Sequence, residues 1–352
     1  MKDGLKVFLV RAGRKAERED YCLENNIMVV GFTEFPSFEG AKDFEEILEI
    51  IKKTKPGIKT RAAGNYAGQL WSFVVDMKEG DIVVLPRKHT SQIALGEVTG
   101  PYKYKKVEDK LCHTRAVKWI RPNVPRTAFG QDLLYSFGAY LTVCKISRND
   151  AVKRVQAVFD NKPDPGPSFQ IVKQGKGQDT VVEHVEDASD KDLAQAADDQ
   201  IQARIQGRFC GHGLAALVDA VLKAEGWETR LSPPGADGGV DILAGRGSLG
   251  LDHPRLCVQV KSQNSPADVS VYRGLQGSMQ SFKADQGLLV CWGGFNKALL
   301  NEAKQGHFSV RLWDSKNLVD SIYKNYEKLP AEIQADLPLK KVWMLVTEEL
   351  DD

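Results

Sequence analysis

Apolar residues in the second half of the chain alternate between helical and strand-like spacing. Leu214, Leu217, Val218, Val221 and Leu222 follow the helical period, which predicts a helix that ends at Gly226. Further segments follow in a regular order: strands near 239–244 and 256–261, a helix over 270–283, a strand over 288–292, a helix over 295–305, a strand over 308–313 and a helix over 316–326. This order predicts a central sheet flanked by helices over residues 207–330.

The first part of the chain shows a different pattern, in which apolar runs are short and helical spacing is rare. Strands are predicted over 5–10, 27–31, 82–86, 93–98 and 116–120, and one helix from Phe44 to Ile51. Several short strands with few helices predict a small β-barrel domain over residues 1–150.

Residues 151–206 have the composition of a linker. Prolines and a glycine crowd the segment 161–167, which excludes regular structure there. Residues 190–205 are polar and rich in alanine, which predicts a connecting helix. Residues 331–352 form a carboxyl-terminal tail after the second domain.

The strand predicted over 256–261 places polar side chains beside apolar ones. Val258 and Val260 lie on one face by strand alternation, and Gln259 and Lys261 lie on the other. Polar groups beside a hydrophobic strand are costly without partners or a function. Asp241, on the preceding strand, can supply both a charge partner for Lys261 and an oxygen ligand for a metal ion.

These side chains are suited to phosphodiester hydrolysis, which needs a divalent metal and a cation near the developing charge. Magnesium prefers oxygen ligands. We predict Asp241, Gln259 and the Val260 carbonyl as metal ligands, and Lys261 as the group that orients the attacking water or stabilises charge. The alternative is a structural Asp–Lys pair, with Gln259 as a hydrogen-bonding filler.

Composition narrows the class of protein. A length of 352 residues favours two domains. The six cysteines form no CxxC pair and the histidines show no HxH or HExxH spacing, which argues against disulfides and zinc. No apolar run reaches membrane-spanning length and the start lacks the apolar region of a signal peptide, so we expect a cytoplasmic protein without a membrane partner.

Charge is distributed unevenly between the two parts. Residues 1–150 carry 25 Lys and Arg against 19 Asp and Glu, a net charge of +6, whereas the whole chain is at +1. A mildly basic first domain fits a polyanionic partner, although many domains without one are equally basic.

Residues 207–330 resemble the Mrr-like branch of the PD-(D/E)xK restriction endonuclease superfamily, in its QxK form. The segments that carry the resemblance are the first helix over 211–226, Gly235-Ala236-Asp237-Gly238-Gly239-Val240-Asp241-Ile242, Val258-Gln259-Val260-Lys261 and Gly293-Gly294-Phe295. The resemblance implies a restriction-endonuclease-like α/β/α nuclease domain that uses Mg²⁺ (or Mn²⁺).

One position departs from that family. The first helix often carries an acidic residue, and Ala215 stands there in this chain. His212 is the nearest polar residue that could complete the site, and a histidine bonded to backbone at the start of the helix is an equal alternative. Asp237 either supports the metal ligands from behind or is an ordinary turn residue.

The first domain resembles the EVE-type branch of the PUA-like fold. The resemblance is carried by Leu70–Pro86, with Lys78-Glu79-Gly80-Asp81 at its centre, and by Leu95–Tyr104. It implies a reader that takes a modified base into an aromatic pocket after flipping it out of the duplex. We predict Trp71 and Tyr104 as pocket walls; the other candidates are the aromatic residues Phe73, Tyr102 and Trp119, with Arg61 and His89 as polar residues beside them.

Together these features predict a modification-dependent, type IV-like DNA endonuclease. Its partner would be duplex DNA carrying a modified base, and cleavage of both strands would need a homodimer or a larger assembly. Two alternatives stay open. The first is another anti-phage or repair nuclease whose first domain reads RNA or a ligand, and the second is a non-catalytic nucleic-acid-binding protein.

Overall fold

The structure, a computed structural model, describes residues 4–13, 16–88, 90, 92–108, 111–139, 141–167, 193–233, 235 and 239–343. It divides into two compact units, Met1–Ala196 and Ala197–Asp352. Two of the predicted site residues, His89 and Asp237, lie outside the described residues.

The amino-terminal unit is built around one six-stranded sheet. Its strands are β1 (Val7–Val10), β2 (Ile27–Val30), β3 (Ile82–Arg87), β4 (Gln92–Glu108), β5 (Leu111–Pro125) and β6 (Val143–Lys145). Its helices are α1 (Glu19–Glu24), α2 (Phe44–Thr54), α3 (Thr60–Trp71), α4 (Gln131–Phe137) and α5 (Ala151–Phe159). The strand order is β2-β5-β4-β3-β1-β6, in which β1 and β3 are parallel and the other neighbours are antiparallel.

This unit has more helix and longer strands than the sequence pattern predicts. Strands β4 and β5 run for 17 and 15 residues, whereas the apolar pattern predicts only 93–98 and 116–120. Past Gly100 the β4 side chains are mostly exposed and polar, so backbone pairing extends the strands where no apolar alternation marks them. Within the described residues β2 and β6 are the outer strands of a single sheet, and no closed barrel is seen.

Both faces of this sheet are covered by apolar side chains. Phe8 and Val83 pack on one side in a cluster that also contains residues of α2 and α3. Val7 and Val84 pack on the other side, in a cluster with residues of α4 and α5. Such alternation is typical of strands buried on both faces.

The carboxyl-terminal unit contains a five-stranded mixed sheet. Its strands are β7 (Glu228–Leu231), β8 (Ile242–Arg246), β9 (Asp252–Lys261), β10 (Gln286–Cys291) and β11 (Val310–Trp313). Its helices are α6 (Leu193–Arg208), which begins four residues before the division between the units, α7 (His212–Ala224), α8 (Val269–Phe282), α9 (Lys297–Ala303), α10 (Ser315–Asn325) and α11 (Ala331–Asp336). The order is β11-β10-β9-β8-β7; β9, β10 and β11 are parallel, and β7, β8 and β9 are antiparallel.

The helices of this unit cover the sheet in two layers. Val258 and Val260 of β9 pack in a cluster with apolar residues of α7 and α10. Cys257 of β9 packs in the other cluster, with residues of α8 and α9. The unit is therefore an α/β/α sandwich, in which the two faces of β9 meet different helices.

Within the described residues, no helix combines the length and the apolar character that crossing a membrane requires.

Candidate nuclease site and amino-terminal cavity

Asp241 lies directly before β8, where it faces β9. Its backbone N–H donates to the Val258 carbonyl at 2.9 Å. Its carboxylate Oδ2 accepts a hydrogen bond from the Val260 N–H at 2.7 Å. The side chain thus takes the place of a backbone carbonyl at the end of the β8–β9 ladder. One carboxylate oxygen is fixed against β9 in this way.

Gln259 and Lys261 lie on the face of β9 that Cys257 also occupies, the face covered by α8. Gln259 is buried, with 8% of its surface exposed, and Lys261 is half-buried at the carboxyl end of the strand. Because the N–H and C=O of one strand residue point to the same side, the Val260 carbonyl is directed towards β8, as its N–H is. The structure therefore brings Asp241, Gln259, Val260 and Lys261 to one end of β9.

The side-chain oxygen of Gln259 indicates whether a metal ion would fit at this end of β9. Gln259 Oε1 is buried without a hydrogen-bond partner, and an unmatched buried acceptor costs about 1–3 kcal/mol. A metal ion would use that oxygen. In the described part of the chain no three His, Cys, Asp or Glu side chains gather to hold a metal. A site here therefore depends on one carboxylate with amide and backbone oxygens, a donor set that suits magnesium.

Helix α7 contributes less to this end of the sheet than the family resemblance implies. His212 is half-buried at its first residue, and Ala215 is 2% exposed in the core. The helix packs on the Val258 and Val260 face, opposite to Gln259. None of the hydrogen bonds or ion pairs described for residues 193–233 and 239–343 joins His212 to Gln259 or Asp241.

A carboxylate does lie in α7, one turn after Ala215. Asp219 is buried and accepts a hydrogen bond from Thr229 Oγ1 at 2.5 Å, and it pairs with Lys223 at 2.8 Å. Thr229 pairs with Ala244, three residues beyond Asp241. Asp219 is thus held against β7 by its own partners.

A close backbone approach positions the chain beyond Lys261. The Gly293 N–H donates to the Gln263 carbonyl at 3.0 Å, and a Cβ atom at Gly293 would clash with the Asn264 carbonyl. The Ala267 N–H donates to the Gly294 carbonyl at 2.9 Å. These contacts tie the segment after β9 to the segment after β10, so only glycine fits at 293.

The predicted reader residues are dispersed over the amino-terminal unit. Trp71 is the half-buried last residue of α3, and Phe73 is fully buried in the core. Trp119 is half-buried and donates its Nε1–H to the Cys22 carbonyl at 2.9 Å. Tyr104 is 37% exposed and packs edge-on against His113. Arg61 is exposed near the start of α3.

The amino-terminal unit contains a cavity of about 280 Å³ that is lined by one of the aromatic candidates, Tyr102, and by none of the five residues above. Its wall consists of Phe38, Glu39, Gly40, Ala41, Val74, Met77, Lys78, Glu79, Pro101, Tyr102 and Arg115. Tyr102 and Arg115 pair across β4 and β5, next to a register shift between Val98 and Tyr102. The sequence contains one indication of this site. Residues 113, 115 and 117 alternate along β5, so the polar side chains of His113 and Arg115 lie on the same strand face as the core residue Val117.

Comparison with known proteins finds a family model that matches part of each unit. Residues 208–322 match the Mrr_cat family, described as "Restriction endonuclease", and residues 6–131 match a domain of unknown function, DUF8426. No curated protein matches the chain.

Three solved structures are distantly similar to the chain. The DNA modification-dependent restriction endonuclease AspBHI is 14% identical, with a TM-score of 0.33, over 81% of this chain and 76% of its own. The MspJI restriction endonuclease in complex with a 27-mer oligonucleotide is 14% identical, with a TM-score of 0.32, over 80% and 70%. AF1548, a protein of unknown function, is 15% identical, with a TM-score of 0.26, over 36% and 78%. These likenesses are too distant to assign a role to any residue. The family match, by contrast, covers all five strands of the carboxyl-terminal sheet and the site at the end of β9, so residues 208–322 are similar to the restriction endonuclease family.

Proposed function

We propose that this protein is a modification-dependent endonuclease, which recognises a modified base in duplex DNA and hydrolyses phosphodiester bonds with Mg²⁺ or Mn²⁺. The hydrogen bond between the Asp241 carboxylate and the Val260 N–H carries the nuclease part of the proposal. It holds a carboxylate against the end of β9 that also carries Lys261 and Gln259, whose side-chain oxygen is unmatched. The family match over residues 208–322 supports the same reaction.

Each residue of the site has a distinct role in this reaction. Asp241, Gln259 and the Val260 carbonyl would hold the metal, which polarises the phosphate and lowers the pKa of a water molecule when bound. The bond to Val260 fixes the carboxylate in one orientation. Lys261 stabilises the negative charge that grows on the phosphate oxygens as the water oxygen bonds to phosphorus and the P–O bond to the leaving oxygen breaks.

The amino-terminal unit would supply recognition of the modified base. Its sequence resembles EVE-type readers, its net charge favours a polyanion, and its cavity is close to the lower end of the range for small-molecule sites. Cleavage of both strands needs two active sites, so two copies of the chain would act together on one duplex.

A plasmid-cleavage assay tests the proposal against its two rivals. Methylated and unmethylated plasmids are incubated with the full-length protein, with and without Mg²⁺. Cutting that needs both the methylation and Mg²⁺ is expected. Mg²⁺-dependent cutting without preference for methylation would instead favour the first rival, a nuclease whose first domain reads RNA or a ligand. Binding without cutting in Mg²⁺ or Mn²⁺ would favour a non-catalytic binding protein.

Variants of the site separate catalysis from binding. Asp241→Ala and Lys261→Ala should lose cleavage and keep their affinity for DNA, because each removes one group of the site and leaves the rest of the surface unchanged. Lys297→Ala is the matched control, since Lys297 is an exposed lysine at the start of α9. Magnesium-dependent cutting by purified Asp241→Ala protein would refute the site assignment.

A further inference from the structure

Arg115 carries a buried positive charge in the wall of the amino-terminal cavity. It is 4% exposed, and its guanidinium donates to the carbonyls of Phe73 at 2.6 Å, Gly100 at 3.1 Å and Val74 at 2.9 Å. All three partners are neutral. Within residues 16–88, 92–108 and 111–139, no ion pair joins Arg115 to a carboxylate. Of the five N–H donors of a guanidinium, these bonds use three.

Such a cation is unusual inside a domain, because burying a charge without a counter-charge is costly. Burial lowers the pKa of Arg115 to about 10, against the raising effect of Asp81 and Glu79. The three carbonyls hold the guanidinium in place and leave two of its N–H donors, on a side chain that lines the cavity. An acceptor that enters the cavity would therefore find an oriented, desolvated donor group.

Tyr102, which pairs with Arg115 across β4 and β5, presents a hydrogen-bond acceptor to the cavity where Arg115 presents donors. His113 Nε2 lies 3.3 Å from the Phe35 carbonyl, which can only accept, so Nε2 carries the proton. Burial lowers the pKa of His113, which keeps the ring neutral and leaves Nδ1 to accept from the Tyr102 hydroxyl at 2.8 Å. The Phe38 N–H donates to the same hydroxyl at 3.4 Å. Tyr102 can therefore offer the cavity an acceptor, but its own proton is already used.

The rim of the cavity disfavours anions. Glu39 and Glu79 are exposed there together with one exposed cation, Lys78, so the three side chains carry a net charge of about −1. A phosphate or carboxylate that entered would pass two carboxylates, whereas an amino group could donate to them. Apolar wall residues, Val74, Met77 and Pro101, leave room for a flat ring or a small apolar substituent.

We infer that this cavity receives the flipped-out base of the bound duplex, as a neutral heteroaromatic ring that turns a carbonyl or ring nitrogen acceptor towards Arg115 and an exocyclic amino group towards the rim carboxylates. The inference rests on the proposed reader function and names its site and the chemistry that it selects. It moves that site away from Trp71 and Tyr104, the walls expected from the sequence. The phosphates stay outside the cavity.

Filling the cavity is the sharpest test. Ala41 is a half-buried wall residue, so Ala41→Phe should occupy the space, and Ala157→Phe is the matched control, since Ala157 is a half-buried alanine on α5 that does not line the cavity. Both are made in the full-length Asp241→Ala protein, so that binding is measured without cutting. The probes are otherwise identical duplexes carrying 5-methylcytosine, 5-hydroxymethylcytosine, N6-methyladenine or no modification.

We expect Ala41→Phe to lose at least about tenfold in affinity for the preferred modified duplex and to keep its affinity for the plain one. A 2-aminopurine at the preferred position should brighten on binding, as an unstacked base does, and Ala41→Phe should abolish the increase. Ala157→Phe should bind every probe as the parent Asp241→Ala protein does. Full modification preference in an Ala41→Phe protein with the parent's melting temperature would overturn the inference and leave the reader function standing.

A second variant covers the case in which Ala41→Phe does not fold. Glu79→Gln removes a rim charge from an exposed side chain, and Glu49→Gln on α2 is its control. Glu79→Gln should weaken modified-duplex binding by roughly tenfold, the effect of losing one hydrogen bond to a charged group. No change with Glu79→Gln would overturn the predicted contact to an amino group. Equal binding of all four probes by the parent would refute the reader function itself, and the inference with it.

Discussion

Replacing Gln259 with leucine should affect stability and activity in opposite directions. The amide oxygen is buried and unmatched, and an orphaned acceptor costs about 1–3 kcal/mol. Leucine has a similar size and adds apolar surface on the α8 face of β9. We expect Gln259→Leu to raise the free energy of unfolding of the carboxyl-terminal unit by roughly 1–2 kcal/mol. For a unit of this size that is roughly 2–8 °C in melting temperature.

The same substitution should remove an oxygen that we propose as a metal ligand. Single-turnover cleavage should fall by at least about 100-fold, which corresponds to about 2.7 kcal/mol of transition-state stabilisation. Magnesium at 100 times its dissociation constant should stabilise the unsubstituted protein by about 2.7 kcal/mol and the variant by much less. The order of stability would therefore reverse when saturating Mg²⁺ is added.

Differential scanning calorimetry of the full-length protein, with and without Mg²⁺, measures the stability half of this prediction, and a quenched cleavage assay measures the other half. Gln263→Leu is the control, since Gln263 is exposed two residues beyond β9. A Gln259→Leu protein that is less stable than the parent without metal, or that cuts at the parental rate, would show that the amide is an ordinary structural group.

Three further predictions follow from other contacts. Asp241→Asn should lose cleavage but keep its fold, because an amide oxygen can still accept from the Val260 N–H; circular dichroism and plasmid cutting check this, and a molten variant would contradict it. Arg154→Leu should cost about 3–5 kcal/mol in urea unfolding, because it strands two carboxylates beside a fully buried site, and a loss below 1 kcal/mol would contradict this. His113 should make the amino-terminal unit less stable as pH falls below about 6.5, because burial lowers its pKa and the unfolded chain gains a proton first. Urea midpoints at pH 7.5 and pH 5 measure that slope, which His113→Gln should flatten.

The positions of Gln259 and Lys261 could be predicted from the sequence because both residues lie in a strand with regular alternation of polar and apolar side chains. Two-residue alternation in 256–261 puts Gln259 and Lys261 on one face, and the structure places Val258 and Val260 on the other, against α7. The hydrogen bond from the Val260 N–H to Asp241 could not be predicted, because it depends on the register in which β8 pairs with β9. The structure divides the chain between residues 196 and 197. The finer domain boundaries stay predictions: 1–150, 151–206, 207–330 and 331–352.

The amino-terminal unit was harder to predict for a physical reason. The partners of Arg115 are backbone carbonyls of Phe73 and Val74, and a carbonyl has no signature in the sequence. Aromatic residues attract attention as pocket walls, yet Phe73 is wholly buried and Trp119 bonds to the Cys22 carbonyl. The EVE-like assignment of this unit, the base-reading role of its aromatic residues and the roles of Asp237, His212 and His89 stay predictions.

The hydrogen bond between Asp241 and Val260 makes one backbone amide a spectroscopic reporter of the site. The Val260 N–H is held by the carboxylate that would bind the metal, so its ¹H and ¹⁵N chemical shifts respond to the charge on that carboxylate. A titration with Mg²⁺ should shift this resonance, so metal binding can be followed without a cleavage assay. The amide's exchange with solvent would equally record each transient opening of the strand end, so a single peak would follow both metal binding and the integrity of the sheet that supports it.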